Sequence, residues 1–580
     1  MVGHLVKYTK FYFEPIPENP IELLFDIPKE ELIVTISAIN AYLKPIYNSF
    51  FDHSRTTQID CIRVLFLDTQ NPFPHSHSKE IIIKYKNEFQ ENYNLFSRVT
   101  CLYALQEIIN HNEFVEETPE YTFDLRERIF KFLLICNDKI LTADENYKED
   151  DYEKLGDDFF EFFMFRELHH NQYNEASNSV NSFYKYWSLF EALINDDFFG
   201  SHFKNYLIDF FSTDDINEFF KKQIWSYFKS YDDKLKFNYL NVPKDEIEAL
   251  KILDKLSERQ IINIPAANDL KIFDFLQIKK SPLYRQEEDD GKDIISYIVM
   301  DNILFIEKTY SLFINDFWFD YLKDKEICNR KDWGNFIGAS YFEPFLEKIF
   351  NFAFSNKSNY TIRSTDALKF TINGNLIEYA DFYIREKQNI ILAEAKSNYL
   401  PMVNGYKTVL TFEDYKALDL KKFYKDYELT QLAEKTIKEF HKYKSLIDDD
   451  GFNYNRKVQL YPLLIVNDPI FSSSYSSFVF KRKFDEMLNN EGINKKSKEH
   501  NIKPLSIINV SELIEIEQSL EENEINIFNI LDLQFSMSNI KNKGNAKDYN
   551  FLRTINHVIQ RKVDRQKLIP KRIINFEWLE

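Results

Sequence analysis

Glycine is scarce. Only 11 of 580 residues are Gly, and no two have the spacing of a phosphate-cradling P-loop or of the dinucleotide-binding G-x-G-x-x-G motif. A nucleotide-fuelled motor and a Rossmann dehydrogenase are therefore not expected. Cysteine is rarer still. Cys61, Cys101, Cys136 and Cys328 form no C-x-x-C pair, so neither a zinc ribbon nor a redox dithiol is signalled, and a reducing, cytoplasmic compartment is expected. No run of about 20 apolar residues occurs, and MVGHLVKYTK at the N-terminus lacks the apolar core of a signal peptide, so no membrane association is expected. Excess positive charge is also missing. Lys and Arg number 73 against 92 Asp and Glu, a net charge of −19. Such a chain is not a general nucleic-acid coat, and any polyanion must meet a local basic patch.

Large side chains are abundant. Aromatics make up 16% of the chain, with 55 Phe and 35 Tyr. The length suits two to four domains at about 100–200 residues each. The first 325 residues read as a mostly helical region, with apolar residues at three- and four-residue spacing in Thr35–Lys44, Lys79–Asn112, Leu125–Asp138, Phe159–Asn195 and Ile216–Lys229. CIRVLFLD at 61–68 reads as a short strand. Two polar stretches, 144–158 and 285–293, read as loops or linkers. Residues 326–535 change texture to mixed helix and strand. From 541 onward ten Lys or Arg face four acids, with Phe551, Leu552, Ile555, Val558 and Ile559 as an apolar stripe. That segment, 536–580, reads as a basic helical tail in which Arg561, Lys562, Arg565 and Lys567 are candidate phosphate contacts. KRK at 481–483 is a second basic cluster.

The chemistry-bearing segment is LIEYADFYIREKQNIILAEAKSNYL, 376–400. Two apolar runs flank a charged turn and read as a β-hairpin. Folding it about Lys387–Gln388 sets Asp381 opposite Glu394. The two-residue period puts Ile390, Leu392, Glu394 and Lys396 on one face. Facing carboxylates repel, and a hard divalent cation between them removes the penalty. The competing reading is three solvent-facing charges on an edge hairpin, common in a chain with 28% charged residues.

On these residues the C-terminal part resembles the PD-(D/E)XK (restriction-endonuclease-like) nuclease superfamily. Asp381 matches its strand-terminal Asp, and Glu394-Ala395-Lys396 its Glu-x-Lys. GASYFEPFLEKIFNFAF (338–354) matches the preceding helix, with Glu343 as its acid and Glu347 as the alternative. YELTQLAEKTIKEFHKY (427–443), KVQLYPLLIV (457–466) and NIKPLSIINVSELIEIEQSL (501–520) supply the following helix, strand and strand–helix. The resemblance implies a restriction-endonuclease-like α/β domain with a mixed central sheet. It also implies Mg²⁺ or Mn²⁺ held by Asp381 and Glu394, Lys396 assisting the attacking water, and hydrolysis of DNA, in a setting such as bacterial defence against foreign DNA. The helical region, one subdomain or two, is then a sensor or regulatory region, or a surface for a protein partner or for oligomerisation. Two departures stand out. Pro344 follows Glu343, and Ser340-x-x-Glu343 is also a capping-box pattern. Gln431 lies on the following helix, where some members of that superfamily place a glutamine near the site, but it reads first as a solvated helix-face residue. The alternatives are a non-catalytic nucleic-acid-binding or sensor scaffold that keeps the nuclease fold, and a helical-domain ribonuclease. SFYKYWSLFEALIND (182–196) faintly resembles a helix of HEPN domains, but no Arg and His have that family's catalytic spacing. His75-Ser-His77 and His169-His170 read as structural.

Overall fold

A computed structural model describes residues 4–43, 52–67, 75–117, 123–141, 158–169, 179–220, 239–257, 275–286, 293–308, 310–355, 357–399, 405–406, 409, 412–448, 452, 456–538 and 554–563. The chain divides into two compact units. One comprises Met1–Asp151 and Asp197–Phe319. The other comprises Tyr152–Asp196 and Asp320–Glu580. The boundary expected near 325 is thus close to the observed one, but the stretch 152–196, read from sequence as part of the N-terminal region, belongs to the C-terminal unit.

The first unit is largely helical, with a three-stranded antiparallel sheet in which Ile294–Val299 lies between Tyr239–Pro243 and Leu283–Arg285. The expected strand at 61–68 is a helix, Arg55–Leu65. Ser54 caps it by accepting from the Thr57 N–H, and Thr57, Gln58, Cys61, Ile62 and Leu65 are buried at helical spacing. That period begins before the apolar run and outweighs its β-branched content. The long helix expected over Lys79–Asn112 is two, Ser76–Glu88 and Arg98–Asn110, separated by a two-residue strand. His77 lies in the first turn of the former and its Nε2 is 2.8 Å from Glu127, a structural role. A buried ion pair ties the unit together. Arg98 donates Nε and Nη2 to the two Asp301 oxygens at 2.8 and 2.9 Å, and Asn40 Nδ2 adds a bond of 2.8 Å.

The second unit is built on a six-stranded mixed sheet. Its strands are β1 (Tyr360–Ser364), β2 (Phe382–Glu386), β3 (Asn389–Lys396), β4 (Val458–Val466), β5 (His500–Ile502) and β6 (Ser506–Asn509). β1, β2 and β3 run antiparallel in sequence, and β4 lies parallel to β3. β5 and β6 both pair in parallel with the far edge of β4. β4 reads VQLYPLLIV and is buried almost throughout, as a strand covered on both faces must be. The β2–β3 hairpin has the expected register, Asn389 opposite Glu386 through Ala393 opposite Phe382. Lys387 makes the tight turn with a left-handed φ of 55°. A smaller hairpin, Lys369–Ile372 with Asn375–Glu378, turns at Asn373-Gly374, both at positive φ, the signature of a two-residue β-turn.

The 152–196 stretch contributes α1 (Asp158–His169) and α2 (Ser179–Asn195). Phe162 and Phe165 of α1 sit in one core with Ile390 and Leu392 of β3 and the helix Ser474–Asn490. On that helix KRK is not a free basic cluster. Arg482 pairs with Glu486, and Lys483 with Glu161 and Glu486. No described helix is long and apolar enough to cross a membrane.

Candidate active site

The site forms where β3 ends. Its inward positions continue the stripe of Ile390 and Leu392, so Glu394 is carried into the core and is fully buried. Asp381, just before β2, is the next position of the same register and is half-buried. Its Oδ2 accepts the Ala395 N–H at 2.7 Å. Glu394 Oε1 accepts the Thr436 hydroxyl at 2.6 Å, and Oε2 accepts Gln431 Nε2 at 3.2 Å. Lys396 points the same way, with Nζ 2.8 Å from Glu428 Oε1. Glu428, Gln431 and Thr436 all lie on one segment. It runs from Leu429–Gln431 into the π-helical turn Leu432–Ile437.

Glu343 opens the helix Glu343–Ala353, which continues directly from a π-helical stretch, Phe336–Phe342. It caps nothing, so the capping-box reading is set aside: the position before the helix is Phe342, with no side-chain cap. Wide π turns also accommodate Pro344, whose missing N–H breaks the usual ladder. Single π turns recur at functional sites, and here two of them flank the same carboxylates. Glu343 Oε2 accepts the Thr365 hydroxyl at 2.9 Å, and that hydroxyl lies 3.4 Å from the Asp381 carbonyl oxygen. Glu347 instead accepts from Ser364 on β1.

The electrostatics follow from burial without compensation. Desolvation pushes the Asp381 carboxyl well up, and the Glu343, Glu428 and Glu378 charges add to this against the opposing Ala395 N–H. Glu394 rises further, through burial first and the Asp381 charge second, with Thr436 and Gln431 opposing. Burial also raises Glu343, whose bond from Thr365 pulls the other way. Glu343, Glu428 and Glu378 thus add negative charge around Asp381, and Lys396 pairs with Glu428. Among the described residues no cation of the chain pairs with Asp381 or Glu394.

Sequence reasoning named Asp381, Glu394, Lys396 and Glu343; Asp381 and Glu394 fall in register across the hairpin, Lys396 follows two residues on, and the Thr365 hydroxyl lies between the Glu343 carboxylate and the Asp381 carbonyl. That reasoning missed Glu428, Thr365 and Thr436, and misplaced Gln431, which bonds Glu394 instead of facing solvent. The spacing of Glu428, Gln431 and Thr436 on one helical segment was the available signal. Of the tail residues, Arg561 and Lys562 lie exposed in the last turn of the helix Ile555–Lys562. Ile555, Val558 and Ile559 are its buried stripe. Phe551, Leu552, Arg565 and Lys567 fall outside the described residues.

Two oxygen-donor side chains fit Mg²⁺ or Mn²⁺. Mg²⁺ is commonly held by one or two carboxylates together with waters and substrate phosphates. Among the described residues no group of three or more His, Cys, Asp or Glu is placed to hold a metal. No protein-family model, curated protein or solved structure matches this chain.

Proposed function

We propose that the C-terminal unit is a metal-dependent nuclease that hydrolyses phosphodiester bonds in DNA. The observation that carries this reading is the pair of half-buried Asp381 and fully buried Glu394, which no cation among the described residues pairs with and which lies at one end of the hairpin beside Lys396. Burying carboxylates unpaired is costly, and a site that carries this cost is a candidate for chemistry. Asp381 and Glu394 would hold Mg²⁺ or Mn²⁺. Bound there, the ion would neutralise phosphate charge and lower the pKa of a bound water. Gln431 and Thr436 fix the Glu394 carboxylate, and the Ala395 N–H fixes Asp381. Lys396 would orient the attacking water. Glu343, held by Thr365, adds negative charge on the opposite flank. The resemblance of this order of helix, Asp, Glu-x-Lys and helix to restriction-endonuclease-like enzymes supports the same reading, and defence against foreign DNA is the setting that resemblance would imply.

The test is Mg²⁺-dependent cleavage of duplex DNA by the full chain. Cleavage should stop with chelator and fall sharply in Asp381→Ala, Glu394→Ala and Lys396→Ala proteins that remain folded. Chelator-resistant cleavage, or wild-type activity in Glu394→Ala, would rule the reading out.

A further inference from the structure

The reaction proposed above needs Lys396 in one place, yet a lysine side chain is long and freely rotating. Fixing it costs up to about 2 kcal/mol of rotamer entropy. Neither site carboxylate makes that contact. The ammonium is held by Glu428 Oε1 at 2.8 Å, and three features of Glu428 make this more than a chance surface pair.

The first is its place in the chain. Glu428 immediately precedes the helical segment whose Gln431 and Thr436 hold Glu394. One rigid element therefore anchors both members of Glu394-x-Lys396, at three points along its length. The second is proximity. The Lys396 that it holds directly follows Ala395, whose N–H donates to Asp381 Oδ2 at 2.7 Å, so the clamp lies beside the site. The third is backbone conformation. Glu428 sits at φ 55°, ψ 11°, the left-handed region that costs a non-glycine residue about 1–2 kcal/mol. Glycine would occupy it without that cost. The residue found there instead carries a carboxylate that reaches Lys396.

We infer that Glu428 is a positioning residue of the active site: its carboxylate clamps Lys396 beside Asp381 and Glu394, and the helical segment that begins with it aligns both functional groups of the Glu-x-Lys strand. The inference rests on the nuclease reading.

Glu428→Gly separates fold from function, because it removes the clamp while relieving the backbone. In the full-length protein its thermal midpoint should equal or exceed the wild type's. Its single-turnover rate of Mg²⁺-dependent DNA cleavage should fall about 10- to 100-fold, the usual loss on removing an outer partner of a metal site. The DNA concentration at half-saturation should stay unchanged. The Glu428→Gly/Lys396→Met double variant should be no slower than Lys396→Met alone, since residues that act as a unit are non-additive. A wild-type rate in Glu428→Gly, or a double variant slowed by the product of the single effects, would overturn the clamp while leaving the nuclease reading intact. A wild-type protein that cleaves nothing with Mg²⁺ or Mn²⁺ would remove both.

Discussion

Asp301 in the first unit and Glu394 in the second are both buried carboxylates, and their surroundings are opposite. Burial alone would raise Asp301. The Arg98 guanidinium, by charge and by two hydrogen bonds, reverses this together with the Leu304 N–H and Asn40, and holds Asp301 below the ordinary carboxylate range. Glu394 has neutral donors, Thr436 and Gln431, and another acid, Asp381, as its neighbours, so burial and like charge push it up. One arrangement closes its electrostatics inside the chain. The other leaves a negative demand that a bound cation can meet. Burial of a carboxylate does not by itself identify a site; what matters is whether the chain supplies the counter-charge.

The sharpest way to break this contrast is by function. Asp381→Ala and Glu394→Ala should each lower DNA cleavage by about a thousandfold or more, because charge stabilisation by a metal amounts to several kcal/mol and each 1.4 kcal/mol is tenfold. Glu343→Gln should cost less, since Glu343 bonds Thr365 and stands outside the pair. Equal losses in all three, measured as single-turnover rates, would mean that the site is a triad of acids.

Stability should show the inverse ranking. Arg98→Met leaves Asp301 charged and buried, and should cost about 3–5 kcal/mol in chemical denaturation. Glu394→Gln removes a like charge, keeps Thr436 as donor to its one oxygen, and can give its N–H to Gln431 once the Gln431 amide turns its own oxygen inward, so in chelator it should be neutral or stabilising. A large loss of stability in Glu394→Gln would show that its carboxylate is structural.

The basic tail bears on how an acidic chain holds a polyanion. Each phosphate contact contributes about −0.9 to the slope of log affinity against log salt. Replacing Arg561, Lys562, Arg565 and Lys567 with Gln should therefore flatten that slope by roughly two to four units without changing which bonds are cut. An unchanged slope would show that these four residues do not contact phosphates.

Glu512 supplies the smallest test. It too is buried, with a carboxyl pushed up to about 8 by desolvation, against the opposing Asn509 N–H. It closes a capping box at the start of the helix Val510–Glu521, a local structural task. Its folded pKa lies above the unfolded value of about 4.3. The folded state therefore binds more protons, and the stability Glu512 contributes is present below about pH 4 and lost as pH rises through 8. In Glu512→Gln the fall in stability between pH 5 and 9 should be shallower than in the wild type. Identical pH profiles would show that Glu512 is not the group responsible.

Much of this site was legible from residue order because a hairpin carries its own register. A two-residue turn at Lys387 and alternation through Ile390 and Leu392 suffice to set Asp381 and Glu394 on one face. The partners of those residues were not legible. Glu428, Gln431 and Thr436 arrive through tertiary packing from a helical segment more than thirty residues away, and Thr365 from the short 3-10 turn Thr365–Leu368 after β1. The π-helical stretches leave no period that an apolar count detects. Attachment of 152–196 to the second unit was hidden for the same reason: the stripe of α1 shows that it packs, not against what. The strand expected at 61–68 failed because a short apolar run fits either period, and the deciding residues, Ser54, Thr57 and Gln58, lie before it.

The central claim is that Asp381 and Glu394 form a divalent-cation site completed by DNA phosphates. It is tested most directly by the free-Mn²⁺ electron paramagnetic resonance signal, titrated with full-length protein and a phosphorothioate-protected duplex. The wild type should deplete free Mn²⁺ saturably, and both Glu394→Gln and Asp381→Asn should bind at least tenfold more weakly, as expected when a metal ligand is lost. Equal depletion by the wild type and both variants, or none by any of them, would contradict the account.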